Sequence, residues 1–297
     1  MTGSDTVYDN SELFSERYLE RGITRQSQWD CTDEAETALS ELVDLYDREY
    51  ASVTGYTDNE EDTLGKWIEP VLETLGYEHL GETGFASGSG SVDRVLFESH
   101  EDRVASEDPR NDGDYATVYE NAATVLEAKP WDADFSIRFS EDRNYFNASQ
   151  QINYYLGHLP RGTVNWGILT NGRHWRLYGT EDHQTFVYYE VDLPALIERN
   201  ETSAFKYFYC LFRPAAFRRS TSGGECFLDR VYRASESTAR QLGDDLQDNV
   251  FEALAVLGDG FIATNDLEIT DTGTITPASL RIDGSAAEGF TLNDLKE

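Results

Sequence analysis

Apolar residues fall at helical spacing through most of the first 77 positions and then change to alternation. In "DEAETALSELVDLYDREY", Leu39, Leu42 and Leu45 lie on one face of a helix, and "SELFSERYLERG" has similar spacing, so the first fifty residues are expected to be helical. Across residues 59–77, Leu64, Trp67, Ile68, Val71, Leu72 and Leu75 form one apolar stripe, and Gly76 is placed to cap it. Pro70 inside that stripe predicts a kink, or a helix that starts just before it.

The middle of the chain predicts strands. "SVDRVLFES" (91–99) and "AATVLEAKP" (122–130) read as two strands separated by an acidic loop, followed by a polar helix over 147–159. "VNWGILTNGRHWRLYGT" predicts two strands joined at Asn171-Gly172, a strong hairpin signal, and "TFVYYEVDL" (185–193) alternates as a third. This order predicts an α/β (α+β) fold, a mixed central sheet flanked by helices. Residues 225–257 then predict a long helix, and residues 258–297 are rich in Gly, Thr, Asp and Ser. The expected division is an amino-terminal helical segment (1–55), a core (56–220), and a helical connector with a polar tail (221–297). The final "LNDLKE" reads as a polar helical start with no end, which suggests a piece of something longer.

Charge adds an environment to this picture. Fifty-six acidic residues against 24 basic ones give a formal charge of −32, and the only lysines are Lys66, Lys129, Lys206 and Lys296. Dispersed carboxylates with scarce lysine suit the cytoplasm of a halophile. At about 1 M salt the Debye length is about 3 Å, so the acidity there does not exclude a nucleic-acid partner. Cys31, Cys210 and Cys226 stand at wide spacing without a CxxC pair, which predicts buried thiols in a reducing compartment and neither zinc nor a disulfide framework. No run approaches eighteen apolar residues, so no membrane span is expected. The five histidines show no metal spacing, and "GSGS" (88–91) lacks the lysine of a phosphate-binding loop.

The candidate chemistry lies in "TVLEAKPW" (124–131). In a strand, residues two apart share a face, so Glu127 and Lys129 project together. Asp93, in "SVDRVLF", supplies a second carboxylate near the start of another strand. Two acids from neighbouring strands can hold Mg²⁺ through oxygen, and a lysine beside them can stabilise charge on a phosphorane-like transition state. Taken alone, an E-x-K tripeptide usually marks a solvated surface pair. The apolar strand before it, the acid at Asp93 and the polar helix after it weigh for a site.

Five blocks in order, "NEEDT…WIEPVLETLGY", "VDRVLF", "TVLEAKPW", "SQQINYYL" and "WGILTNGRHWRLY", carry a resemblance over roughly residues 10–215. The chain resembles the amino-terminal nuclease region of type IIG restriction–modification enzymes, a branch of the PD-(D/E)xK nuclease superfamily related to type I restriction subunits. The resemblance implies a restriction-endonuclease-like sheet with a carboxy-terminal helical extension. Its implied function is a Mg²⁺-dependent endonuclease that hydrolyses double-stranded DNA to leave a 5′-phosphate. Residue by residue, it makes Asp93 and Glu127 metal ligands and catalytic acids and Lys129 the catalytic lysine, with Val92 where a proline is usual. Gln151, with Tyr155, matches a Q-x-x-x-Y helix, although Gln150 with Tyr154 fits the same spacing. Glu60 matches a further acid that can complete the metal site.

Enzymes of this type continue into an adenine methyltransferase, whose Gly-rich loop and N-P-P-Y motif do not occur here. A methyltransferase domain or subunit is therefore an implied partner. The alternative is a catalytically silent, nuclease-like DNA-binding or assembly module of a methyltransferase complex. Trp166, Trp175, Tyr178 and Tyr188 are expected in the sheet core, and Arg161, Arg173, Arg176, Arg213, Arg218 and Arg219 are candidate phosphate contacts.

Overall fold

The alternating segments build nine strands: β1 (Asp9–Ser11), β2 (Glu78–Leu80), β3 (Thr83–Gly84), β4 (Ser91–Val92), β5 (Arg94–Phe97), β6 (Thr124–Ala128), β7 (Trp166–Thr170), β8 (His174–Gly179) and β9 (Tyr188–Asp192). The computed structural model describes residues 7–55, 59–85, 90–140, 143–180, 184–219 and 224–264, and short strands at Leu267–Ile269, Thr274–Pro277 and Phe290–Thr291. Seven strands form one sheet in the order β1-β9-β8-β7-β6-β5-β2, and β3 pairs separately with β4. Every neighbouring pair in the large sheet is antiparallel except β6 with β7. The fold is thus a mixed α+β sheet with helices on both faces.

Alternation along the strands divides the core. Leu126, Ile168, Trp175 and Leu177 face the helix Thr32–Val53, the helical segment 60–75 and the helix Thr202–Phe212. Their partners there include Leu39, Leu42, Trp67, Leu72, Phe205 and Phe208. Val125, Leu169 and Tyr178 face the other way, onto Ile152, Tyr155 and Leu156 of the helix Ala148–His158. Each fully buried large side chain contributes about 1.5–3 kcal/mol, so this two-sided core fixes β6 firmly. Gly167 on β7 lets that helix sit close, since a Cβ there would lie 3.0 Å from Ile152 Cδ1.

Two local features differ from the expectation. The first fifty residues are not helical throughout, because β1 pairs with β9 at the sheet edge. The acidic stretch between β5 and β6 is three short helices, His100–Ala105, Glu107–Asp112 and Tyr115–Asn121, and not a loop. Ser99 and Asp114 cap two of them by accepting from the Asp102 and Thr117 N–H groups, and Gly113 ends the middle one at φ 78°. At Pro70 the expected start just before the proline is found: the helix Glu60–Thr63 passes through a π turn at Leu64–Ile68 into Glu69–Leu75. The wider turn absorbs the bond that proline cannot donate.

The β7–β8 hairpin turns at Asn171–Arg173 with Gly172 at φ 82°, and the Gly172 carbonyl accepts from Trp67 Nε1 at 2.7 Å and Trp175 Nε1 at 3.2 Å. A Cβ there would meet Trp131 at 2.9 Å and both Thr63 and Trp67 at 3.1 Å. Gly172→Ala is therefore expected to lose about 2–4 kcal/mol, from left-handed strain plus overpacking. Urea unfolding in high KCl should show a lower midpoint at unchanged slope.

Met1–Thr238 form one compact unit and Ala239–Glu297 a second. The helix Phe227–Thr264 runs from the first unit into the second, and the strands of the second pair as a small antiparallel sheet. Among the described residues no helix is long and apolar enough to cross a membrane.

Candidate active site

Pairing register brings the two expected carboxylates together. Arg94 lies across from Leu126 in the antiparallel β5–β6 pair, so one step further Asp93 stands opposite Glu127. Asp93 interrupts the strand between β4 and β5, and its Oδ2 accepts from the Ala128 N–H at 2.7 Å. All five residues of β6 are buried, and the Lys129 N–H donates to the Thr170 carbonyl at 2.8 Å. Pro130 then ends the strand, because it has no N–H to continue the ladder. Glu127 shares a face with Val125, which turns it toward the helix that carries Gln151 and Tyr155.

The charges at this strand end are dense and nearly dry. Glu127 is 2 % exposed, and its Oε1 accepts from Lys129 Nζ at 2.7 Å. Lys129 Nζ also lies 3.8 Å from Glu60 Oε2, a half-exposed group on the first turn of its helix. Burial pushes the Glu127 carboxyl well above its ordinary pKa; Lys129 pulls it down, and Asp93 and Glu60 add to the rise. Asp93 is raised for the same first reason, against the pull of Lys129 and the Ala128 N–H. Glu60 is raised by burial and by Asp93, again opposed by Lys129. Burial acts to lower the Lys129 pKa, but Glu127 and Glu60 outweigh it and hold the ammonium above its usual value.

Gln151 and Tyr155 are the register that faces the carboxylates. Gln151 is buried and donates from Nε2 to the Tyr155 hydroxyl at 2.7 Å, and that hydroxyl lies 3.1 Å from the Tyr145 hydroxyl. Gln150 instead accepts from the Phe146 N–H at 2.8 Å, and Tyr154 accepts from Asn144 at 3.0 Å, so both serve the helix entrance. A cavity of ≈650 Å³ is lined by Glu60, Asp93, Glu127, Lys129, Gln151 and Tyr155. Tyr145 and Arg143 line it too. No periodicity marks either; only their place just ahead of the polar helix could have suggested them.

The remaining candidates divide. Trp166, Trp175 and Tyr178 are buried in the core, and Tyr188 is half-buried beneath the Arg176 guanidinium at 3.9 Å. Arg173 pairs with Asp192 and Asp132, Arg176 with Glu190, and Arg218 with Glu98. Arg213 donates to the Gln28 carbonyl at 2.9 Å and Arg219 to that of Gly162, while Arg161 is exposed. The Gly-Ser stretch 88–91 lies partly outside the described residues.

Two buried acceptors at this site have no hydrogen-bond partner, Glu127 Oε2 and Gln151 Oε1. An acceptor in so dry a place is costly unless a donor or cation meets it. Asp93, Glu127 and the Gln151 amide offer an all-oxygen donor set, which suits Mg²⁺, an ion that keeps several waters and needs few protein ligands. Among the described residues no group of three or more His, Cys, Asp and Glu side chains is placed to hold a metal ion. Comparison of the chain with protein families, with curated proteins and with solved structures yields no match.

Proposed function

We propose that the chain is a Mg²⁺-dependent DNA endonuclease of the PD-(D/E)xK kind, serving a restriction–modification or phage-defence system of a halophile and related to the type IIG nuclease region. The observation that carries this reading is the convergence of Asp93, Glu127 and Lys129 at one strand end, with Glu127 Oε2 left unpartnered. A surface E-x-K pair would be solvated; here the glutamate is buried and a second acid stands across from it.

Asp93, Glu127 and the Gln151 carbonyl would hold the ion, with Glu60 at the mouth of the cavity. Bound there, it supplies Lewis acidity toward a phosphoryl oxygen and toward water. The protein's own part is positional. Lys129 is fixed by Glu127 and by its backbone bond to Thr170, so its ammonium is already aligned for charge that grows on the phosphate. Tyr155 fixes the amide of Gln151, which leaves Oε1 aimed with no alternative donor. In the cytoplasm of a halophile, salt would screen the −32 charge against a DNA phosphate chain.

The test is cleavage of unmodified double-stranded DNA in high KCl with Mg²⁺, followed by end analysis. Cutting that needs Mg²⁺, leaves 5′-phosphates and rises with pH is expected, because protonation of the raised carboxyls competes with metal. Failure to cut under these conditions, with a candidate methyltransferase partner present or absent, would defeat the catalytic reading.

A further inference from the structure

The second unit carries an exposed apolar stripe. It begins at Ala239, within the helix Phe227–Thr264. Leu242, Leu246, Val250, Leu254 and Leu257 recur there at steps of three and four, and each is 43–69 % exposed. At 3.6 residues per turn these five fall within a stripe about 120° wide, and no charged residue interrupts it. Asp244, Asp245, Asp248, Glu252 and Asp259 all lie on the opposite face of the helix.

A stripe of this width on a helix normally faces a core. At roughly 100 Å² each, the five side chains present about 500 Å² of apolar surface, close to the largest patch a monomer usually shows. Two such stripes in contact would bury about 1,000 Å², the size at which a specific interface becomes stable. Charge does not oppose that contact. The acids of two facing copies point away from each other, and high salt screens the remainder. A basic partner would instead be drawn to the acidic face, away from the stripe.

The order of residues along the stripe fits a second copy of itself. It is symmetric about the point midway between Phe251 and Glu252: Val250 matches Ala253, Leu246 matches Leu257, Gly243 matches Gly260, and Leu242 matches Phe261. Laid antiparallel, two copies therefore bring these pairs opposite each other, the self-complementarity that a two-fold contact requires. The glycines point the same way. Glycine weakens a helix interior, and a Cβ at Gly243 or Gly260 would meet nothing within 4 Å among the described residues. Packing within the chain thus asks for neither glycine. In the antiparallel pair Gly243 and Gly260 face each other at both ends, where bare backbone lets the two helices approach. The opposed helix dipoles favour the same direction.

We propose that this stripe is a homodimer contact, in which two copies of the chain pair antiparallel through residues 242–261 about a two-fold axis between Phe251 and Glu252. Leu246 of each copy packs on the partner's Leu257, Val250 fills the space left by the small Ala253, and both acidic faces stay in solvent. None of the residues at the end of β6 takes part, so the contact stands whether or not the chain cuts DNA.

The experiment is sedimentation velocity on the full chain in high KCl, from low to high micromolar concentration. Monomer should give way to a species of twice the mass as concentration rises. Leu246→Glu and Leu257→Lys should each weaken that association by about a hundredfold or more, because each buries charge in the contact. Both positions are exposed in the single chain, so far-UV circular dichroism should stay unchanged. Mixing the two variant chains should restore the dimer, since antiparallel pairing alone sets the new opposite charges against each other. Damage to the helix would not produce that rescue. A monomer at every concentration overturns the proposal and leaves the stripe to residues 265–297 of the same chain or to a different protein. A dimer that both variants leave intact, or one that mixing does not restore, overturns it as well. If a variant does not fold, the wild-type concentration series decides alone.

Discussion

Lys129→Ala should lower the rate of DNA cleavage by about 10²–10³-fold while the protein stays folded. The side chain is the only ammonium within reach of the two carboxylates among the described residues, at 2.7 Å from Glu127 and 3.8 Å from Glu60. Its strand position does not depend on it, since the bond to Thr170 is made by the backbone N–H. Truncation also removes the main group that holds the Glu127 pKa down. The residual activity should therefore rise at higher pH than wild type, a shift that simple loss of transition-state contact would not give. Lys129→Arg should recover only part of the rate: it keeps the charge, but a planar guanidinium must fit where the lysine side chain is 13 % exposed. Equal cleavage by wild type and Lys129→Ala under Mg²⁺ and high KCl would sink the assigned role.

What the sequence made legible follows from where local rules suffice. β6, β7 and β8 were readable because alternation and the Asn171-Gly172 turn specify them locally. Asp93 and Glu127 could be named as a pair, but their proximity depends on the β5–β6 register, a long-range fact that no window of sequence contains. The choice between Gln150 and Gln151 was open for a similar reason. Both sit on the same helix, and only the packing of Ile152 and Leu156 against Gly167 decides which turns inward. The acidic helices before β6 were hidden because Asp and Glu read as loop by composition, whereas here Glu101 and Asp102 occupy the first turn behind the Ser99 cap and Glu107 and Asp108 that of the next helix. Strand β1 was hidden because three residues carry no period.

Asp93→Asn should raise the thermal stability of the metal-free protein and at the same time abolish stabilisation by Mg²⁺. The sign follows from proton uptake. The Asp93 and Glu127 pKa values are raised on folding, chiefly by burial, so the folded state binds more protons than the unfolded one between the ordinary carboxyl range and the raised values. Stability therefore falls as pH rises through that window, as the metal-free fold takes on the cost of holding two near, dry carboxylates as anions. A neutral amide at position 93 removes part of that cost and can still accept the Ala128 N–H. For wild type, a divalent ion offsets the same cost from the other side. At a hundredfold over its Kd it contributes about 2.7 kcal/mol, or about 5–10 °C in Tm for a domain of this size. Thermal melts at fixed high KCl, with EDTA or with Mg²⁺, separate the two effects without any cleavage assay. A wild type that gains no Tm from Mg²⁺, or an Asp93→Asn variant that gains as much, would rule out metal at this site. If instead the variant melts higher in EDTA and is indifferent to Mg²⁺, the buried charge at the end of β6 is a destabilising feature that only a bound cation relieves.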